Sequence, residues 1–302
     1  MAENARRALL DGLIDYAGLF PPARLPMGEA VAGYRAASEG AHAWLLDRFV
    51  CPASRTGELH AAPAGDDGAW PVAVVVDGTD LGDVSGLAGA LSRVVAAFDG
   101  THRVDTVEVR VPVEQNAADA ARSIEALSGI ARDAGVPASA RCFVEIQLGD
   151  ATDQLLDALA GDGLAAKVRC GGASPAPPPA ALARFVTGCA ARDLSWKATA
   201  GLHHPFRHVD PASGDAQHGF LNLLAASGLA AAGAEGADVA AALADDDVAA
   251  FTLDEAGLGW RGHTIGAEAR RRFDGYGSCS FDEPVEDLIG LGALSAEATR
   301  SA

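Results

Sequence analysis

The sequence predicts an α/β protein in which eight βα units close into a (β/α)₈ barrel of the TIM type. Three observations favour this fold. Short apolar runs typical of strands alternate with helical stretches along the whole chain. Eight such pairs occupy about 250 residues, the usual size of this barrel. No GxGxxG motif follows the first strand and opens a helix, which argues against a doubly wound sheet.

The predicted strands follow one another at regular intervals, over residues 13–20, 43–50, 70–78, 104–113, 141–149, 164–172, 194–202 and 248–257. Helical patterns lie between them, over residues 27–40, 84–98, 116–135, 152–163, 179–193 and 220–233, and the pattern is poorest after the second strand. The long loops 172–181 and 203–219 follow strands six and seven, so both should lie on the catalytic face. We expect one domain over residues 1–302, with residues 270–302 as a C-terminal extension that packs on the barrel.

Composition limits the possible partners. The 302 residues carry a formal net charge of -18, which would repel nucleic acid. No apolar run reaches the roughly 18 residues of a membrane span, and the N-terminus lacks a signal-peptide pattern. The five cysteines include no CxxC pair, which favours reduced thiols. We therefore expect a cytoplasmic protein without membrane or nucleic-acid partners.

Polar side chains are predicted to line the barrel on four consecutive strands. The alternation of strand four turns Glu108 and Arg110 to one face and its valines to the other. The same period turns a further set inward on strands five to seven, namely Glu145, Lys167, Arg169, Lys197 and Thr199. Buried charges are unfavourable unless they are paired, so this interior suggests either chemistry or a structural ion-pair network.

Lys167 and Lys197 are the only lysines in the chain, and every other cationic residue is arginine. An arginine would serve a structural ion pair better, whereas only a neutral amine can attack a carbonyl. Neighbouring strands lie ~4.8 Å apart, so the two amines should be close enough for each to lower the pKa of the other. A carboxylate or a bound water would then move the protons.

Four segments together resemble the class I deoxyribose-phosphate aldolases. They are "LIDYAGLFPPA", "VDTVEVRV", "AAKVRCGG" and "SWKATAGL", which fall within residues 13–205. The resemblance implies that Lys167 forms the Schiff base and Lys197 activates it. It also implies that Asp105 relays protons and that Asp15 is a substrate or relay group. Strand alternation instead turns Asp105 toward the helices and favours Glu108 as the relay, so both residues stay candidates.

The chain departs from that family at three turns. "RCGG" replaces the hydroxyl-rich turn after the imine lysine, "AGLHHPFRH" replaces a glycine pair, and "DEAGLGWRG" replaces the small-residue phosphate turn. These differences put a phosphate site in question and favour a different substrate.

Histidines of the loop after strand seven are an alternative centre. His203, His204, His208 and His218 could bind a metal together with Asp47, Glu145 or Cys170. No strict metal motif is present, and the adjacent His203 and His204 would usually point apart. We predict no metal and no cofactor, with Cys170 as a buried inert thiol and Cys279 in a structural role.

The sequence therefore predicts a lyase of the aldolase type that acts on a small carbonyl compound through an imine at Lys167. Glu108, Asp105 and Glu145 would assist. The substrate would contact Asp15, Asp47, Arg110, Arg169, Thr199, His203, His204 and Arg207, and the arginines would grip an anionic group. The alternatives are a metal-dependent lyase or hydrolase that uses the loop His203–His218, and a non-catalytic barrel that binds an anionic metabolite. A homo-oligomer is possible in each case.

Overall fold

The computed structural model describes residues 5–62, 69–98, 102–112, 115–172, 175–211 and 213–296. Some residues of the predicted segments lie outside this range, namely residues 1–4, 113, 173–174, 212 and 297–302. Eight parallel strands of the described chain close into a barrel with helices between them. The predicted (β/α)₈ fold class is confirmed.

The barrel strands are β1 (Ile14–Tyr16), β2 (Leu46–Pro52), β3 (Pro71–Val75), β4 (Arg103–Arg110), β5 (Arg141–Glu145), β6 (Ala165–Arg169), β7 (Trp196–Thr199) and β13 (Phe273–Ser278). Their order around the barrel is β1-β13-β7-β6-β5-β4-β3-β2. Two small antiparallel sheets accompany the barrel. One pairs β8 (His208–Val209) with β9 (Ala216–Gln217), and the other contains β10 (Phe251–Asp254), β11 (Gly257–Trp260) and β12 (His263–Ile265).

The helices are α1 (Ala5–Leu10), α2 (Met27–Glu39), α3 (Thr56–Ala61), α4 (Val84–Ala97), α5 (Ala117–Asp133), α6 (Thr152–Gly161), α7 (Pro179–Ala191), α8 (Phe220–Ala231), α9 (Gly236–Ala244) and α10 (Asp282–Gly290). The connection after the second strand has the poorest helical pattern, and its described part contains a 3-10 turn over Ala53–Arg55 and the short α3. Side chains cap two of the barrel helices: Asp83 accepts from the backbone N–H of Gly86 before α4, and Asn116 accepts from that of Asp119 before α5. No helix in the described part of the chain is long and apolar enough to cross a membrane.

Strand β4 shows how the alternating pattern builds two environments. Val107 and Val109 are buried in the apolar layer between the barrel and the helices, as the alternation predicts. Thr106 and Glu108 lie on the opposite face and are also buried. The interior of the barrel therefore receives polar groups, while the hydrophobic stabilisation comes from the layer outside it.

The prediction that residues 248–257 form the eighth barrel strand is wrong. Its alternating residues form β10, which pairs with β11 across a two-residue turn as a hairpin outside the barrel. The eighth barrel strand is β13, which contains Gly275 and Gly277 and therefore lacks the apolar run that the prediction sought. Gly275 has φ +144, and a Cβ there would meet the carbonyl oxygen of Leu13 at 2.5 Å. The close approach of β1 and β13 thus requires glycine.

Part of the predicted C-terminal extension belongs to the barrel itself. Residues 270–302 include β13, which closes the barrel between β7 and β1, and then α10. The extension was expected to begin at residue 270 because the eighth strand was assigned to residues 248–257, and the structure places residues 273–278 of this extension in the barrel.

Candidate active site

Lys167 and Lys197 are direct neighbours inside the barrel. Parallel pairing of β6 with β7 places the Cα atoms of the two residues opposite each other. The Lys167 side chain is 5% exposed and that of Lys197 is 2% exposed. The predicted adjacency of the two amines at one depth is present in the structure.

Glu108 connects the two amines. Its Oε2 lies 2.7 Å from Lys167 Nζ, and its Oε1 accepts a hydrogen bond from Lys197 Nζ at 2.6 Å. The alternation of β4 turns this carboxylate inward, where it is 3% exposed. Both oxygens are therefore occupied by ammonium groups, as a buried carboxylate requires.

Each lysine also has a second carboxylate. Glu145, whose Cα pairs with that of Lys167, places Oε2 at 3.1 Å from Lys167 Nζ. Asp15 of β1 accepts a hydrogen bond from Lys197 Nζ. Together these two amines and three carboxylates form the lysine site, which consists of Asp15, Glu108, Glu145, Lys167 and Lys197. Its formal charge is one negative unit when all five groups are ionised.

The carboxylates control the protonation of the lysine site. Burial alone would raise the pKa of Glu108, but the ammonium groups of Lys167 and Lys197 lower it to about 2. Burial alone would lower the pKa of both lysines. The carboxylates outweigh this effect, with Glu108 and Glu145 acting on Lys167 and Asp15 and Glu108 on Lys197, so both pKa values are raised above their usual range. The charge of Lys197 lowers the pKa of Lys167, as expected from their adjacency, but the carboxylates outweigh this effect, so neither lysine has a lowered pKa.

An ionic cluster lies next to the lysine site, toward the amino-terminal end of the barrel. Its centre is Arg48 of β2, which is 5% exposed. Arg48 pairs with four carboxylates, at 3.3 Å to Asp15, 2.8 Å to Asp47, 2.5 Å to Asp105 and 3.0 Å to Asp274. Asp15 belongs to both groups and joins the cluster to Lys197.

Asp105 belongs to this cluster because β4 is irregular. The partners of β3 shift from Val104 to Thr106, so Asp105 is skipped in the ladder. The extra residue breaks the strict alternation that would turn Asp105 toward the helices, and its side chain contacts Arg48 and Arg103 instead. Glu108, rather than Asp105, is the β4 carboxylate that bridges the lysines.

Asp47 also lies in the ionic cluster and is not among the residues that line the cavity above the lysines. Burial raises its pKa to about 7, and the nearby Asp15 adds to the rise while Arg48 opposes it. Burial and the neighbouring carboxylates therefore outweigh the positive charge of Arg48 at this position.

A cavity of about 800 Å³ opens above the lysine site at the carboxyl ends of the strands. Lys167, Lys197, Glu108 and Glu145 are among its lining residues. Described residues of both long loops, after β6 and after β7, also line it, so these loops share one face as predicted.

Three further candidates lie at the cavity wall. Arg110, Arg169 and Thr199 are each at the carboxyl end of their strand and line the cavity. Arg169 Nη1 is 3.7 Å from Glu145 Oε1, and the Arg169 side chain is 43% exposed. Arg110 makes no ion pair with any described residue. Together with Arg24, these arginines are cationic side chains of the cavity lining.

The two adjacent histidines face the same helix. His203 Nδ1 lies 2.8 Å from Glu283 Oε2, and His204 Nδ1 lies 2.8 Å from Asp287 Oδ2. Glu283 and Asp287 are one turn apart on α10, so they share a face of that helix. The expectation that His203 and His204 point apart is wrong, because α10 offers both of them a carboxylate.

Other predicted residues lie elsewhere. Arg207 does not line the cavity in the described structure, and its backbone N–H donates to Asn222 at 2.8 Å. Cys170 is fully buried, and burial raises its pKa to about 12, which suits an inert thiol. His218 Nε2 donates a hydrogen bond to the backbone carbonyl oxygen of Pro177 at 2.8 Å. Among the described residues, no group of three or more His, Cys, Asp and Glu side chains is arranged to hold a metal ion.

Sequence reasoning missed the centre of the ionic cluster. Arg48 and Asp274 were not candidates. Arg48 pairs with both Asp274 and Asp15, and Asp15 in turn pairs with Lys197. An available signal was a charged pair, Asp47 and Arg48, inside the otherwise apolar run of strand two. Asp274 gave no usable signal because its strand was assigned elsewhere.

Comparison with known proteins gives a likeness among solved structures. No known family model matches this chain, and no curated protein matches it significantly. Among solved structures, a deoxyribose phosphate aldolase from Aeropyrum pernix, described as having a unique tetrameric structure, matches with a TM-score of 0.55. The match covers 96% of this chain and 99% of the other at 13% sequence identity. At this identity the likeness shows a shared barrel fold.

Proposed function

We propose that the protein is a lyase of the class I aldolase type that forms or cleaves a carbon–carbon bond through an imine at Lys167. The observation that carries this proposal is the pair of amines in register at the base of a cavity, bridged by Glu108. The structural likeness to an aldolase is in keeping with it. No cofactor is required for imine chemistry with a lysine amine.

Lys167 is the better nucleophile of the two. Its second carboxylate, Glu145, is 18% exposed and lines the cavity. The second carboxylate of Lys197 is Asp15, which is 3% exposed and is also tied to Arg48. Lys167 can therefore release a proton toward the cavity. Lys197, in contrast, is paired with two buried carboxylates, Asp15 and Glu108. This difference supports the roles of nucleophile for Lys167 and of permanent ammonium for Lys197.

Glu145 is the proposed proton acceptor. Lys167 passes a proton to the Glu145 carboxylate, and the neutral amine attacks the carbonyl carbon while the C=O π electrons move to oxygen. Glu145 gives its proton to this alkoxide and takes one from the attacking nitrogen, which yields a neutral carbinolamine. Glu145 then returns the proton to the carbinolamine oxygen, which leaves as water while the nitrogen lone pair forms the C=N bond. The iminium carries the positive charge that the ammonium carried, so Glu108 and Glu145 stabilise it in the same way.

The substrate is a small carbonyl compound that carries an anionic group. Arg110 and Arg169 flank Glu145 on the neighbouring strands, in positions where their guanidinium groups can bind a carboxylate or phosphate. Thr199, His203 and His204 line the same cavity and offer hydrogen bonds. A homo-oligomer stays a prediction, and the Aeropyrum pernix aldolase is described as tetrameric.

A non-catalytic barrel that binds an anionic metabolite is the second candidate. The observation that favours it is that both ammonium groups are paired with buried or half-buried carboxylates, since such pairs could serve structure and charge alone. In that case the amines would never act as nucleophiles.

Borohydride reduction separates the two candidates. The protein is incubated with a panel of small aldehydes and keto acids, reduced, and weighed by intact mass spectrometry. The imine proposal predicts a mass gain equal to substrate minus oxygen. The matched control is the double variant Lys167→Arg/Lys197→Arg, which keeps both charges but cannot form an imine at either site. An equal mass gain in the double variant, or none in the wild type across the panel, would support the anion-binding barrel.

A further inference from the structure

A second reactive arrangement lies in the wall of the same cavity. The Cys279 thiol lies 3.9 Å from His203 Nε2, and the opposite ring nitrogen, Nδ1, lies 2.8 Å from Glu283 Oε2. All three residues line the cavity. His203 follows β7, Cys279 follows the neighbouring barrel strand β13, and Glu283 is in the first turn of α10.

The order of these groups is that of a nucleophile, a base and an orienting carboxylate. Nδ1–H donates to Glu283, so Nε2 is the ring nitrogen that faces the sulfur and can exchange a proton with it. The neighbouring Cys279 and the Glu283 carboxylate raise the pKa of His203 to about 9, against the opposing effect of burial. The ring is therefore a strong base for an imidazole, placed beside Sγ.

The other four cysteines have different surroundings. Cys51, Cys170 and Cys189 are buried, and burial raises the pKa of each well above its usual value. Cys142 is half-buried, and its pKa is raised to about 11, again mainly by burial. None of these four lines the cavity in the described structure. Cys279 is thus the cysteine whose position favours reaction.

We propose that Cys279, activated by His203 and Glu283, adds reversibly to the carbonyl carbon of a small aldehyde in this cavity. The proposal is independent of imine formation at Lys167. Aldehydes are the appropriate ligand class because thiolate addition to them needs no leaving group, oxidant or second reactant.

The proton that the addition releases and takes up stays within these three residues. The Sγ–H proton passes to His203 Nε2, and the sulfur forms a bond to the carbonyl carbon. The C=O π electrons move to oxygen, and the resulting alkoxide takes the proton back from Nε2. The product is a neutral thiohemiacetal, and Glu283 stabilises the imidazolium that forms between the two proton transfers.

Thiol alkylation tests the activation of Cys279. Limiting iodoacetamide at neutral pH is expected to modify Cys279 first, at least tenfold faster than the half-buried Cys142, as measured by peptide mapping. His203→Asn should slow the modification of Cys279 about tenfold while leaving that of Cys142 unchanged. Equal rates at Cys279 and Cys142, or an unchanged Cys279 rate in His203→Asn, would overturn the proposal. Cys142 thereby serves as an internal control for folding.

Protection by an aldehyde tests the ligand class. Acetaldehyde is added to the Lys167→Arg/Lys197→Arg variant, in which no lysine imine can form, and alkylation is measured again. Millimolar acetaldehyde should slow alkylation of Cys279 at least threefold, and dialysis should restore the rate. Ethanol at the same concentration is the control and should not protect. Unchanged alkylation with acetaldehyde would contradict aldehyde capture, whatever the result at Lys167.

Discussion

Asp15 and Lys197 form a buried ion pair although 182 positions separate them in the sequence. The other oxygen of Asp15 accepts a hydrogen bond from Arg48 Nη1 at 3.3 Å. One carboxylate therefore connects the lysine site to the ionic cluster. Because a buried charge is stable only when it is paired, the position of Lys197 depends on that cluster.

Replacing the central cation of the cluster should destabilise the fold. Arg48→Met leaves the carboxylates around Arg48 without their shared partner, and the expected loss in free energy of unfolding is about 3–5 kcal/mol. Urea denaturation measures it. Arg55→Met is the matched control, because the ion pair of Arg55 in the described structure is with the exposed Glu58 and its loss should change stability very little. Equal effects of the two substitutions would mean that the cluster contributes no special stability.

Asp47→Asn should stabilise the protein in a pH-dependent way. The folded-state pKa of Asp47 is raised to about 7, above the pKa of the unfolded chain. The carboxyl is therefore least unfavourable to folding when the pH lies below the unfolded-state pKa, and this stability is lost as the pH rises through 7. Asparagine keeps the acceptor for Arg48 but removes the charge. The variant should gain about 1–2 kcal/mol over the wild type at pH 9 and less at pH 5. A difference that does not grow with pH would contradict the crowding of carboxylates around Arg48.

Glu108→Gln should have the opposite pH profile. The pKa of Glu108 is lowered to about 2, so its contribution to stability is present above its unfolded pKa of about 4.3 and is lost as pH falls through 2. The variant should lose about 3 kcal/mol at pH 7, because two ammonium groups lose a shared partner. Denaturation at pH 7, 4 and 2.5 should show the difference shrinking with acid. A constant difference would mean that Glu108 is not the ionised bridge.

Regular alternation in the sequence was enough to locate the lysine site. The period of two on β4, β5, β6 and β7 turned Glu108, Glu145, Lys167 and Lys197 inward, and the structure has them in contact. Parallel strands in consecutive order then require that these residues meet. The long loops on the same face also followed from connectivity alone.

The errors arose where backbone geometry departs from that period. The irregularity at Asp105 moves its side chain to Arg48, and no local pattern marks it. The glycines of β13 replace the expected apolar run, so the alternating residues of β10 were taken for the last strand. The raised pKa of Lys197 depends largely on Asp15, which is distant in sequence and approaches Lys197 only when β1 closes the barrel.

Anion recognition can be tested with a matched pair of carbonyl compounds. Pyruvate and methyl pyruvate differ by one negative charge next to the same ketone. The double variant Arg110→Gln/Arg169→Gln should lower borohydride-trapped adduct from pyruvate about tenfold or more and change that from methyl pyruvate much less, since charge-assisted pairs are lost only for the acid. Intact mass spectrometry measures both. Equal losses would mean that the arginines do not bind an anionic group.

The location of the trapped adduct tests the central claim most directly. After borohydride reduction with a carbonyl compound that reacts, peptide mapping by mass spectrometry should place the adduct on Lys167 in the wild type. Lys197→Arg should still be modified at Lys167, more slowly, because guanidinium keeps the adjacent positive charge but does not reproduce the contacts of the ammonium with Asp15 and Glu108. Lys167→Arg should show no adduct. An adduct on Lys197, or full modification in Lys167→Arg, would contradict the assignment of Lys167 as the imine-forming residue.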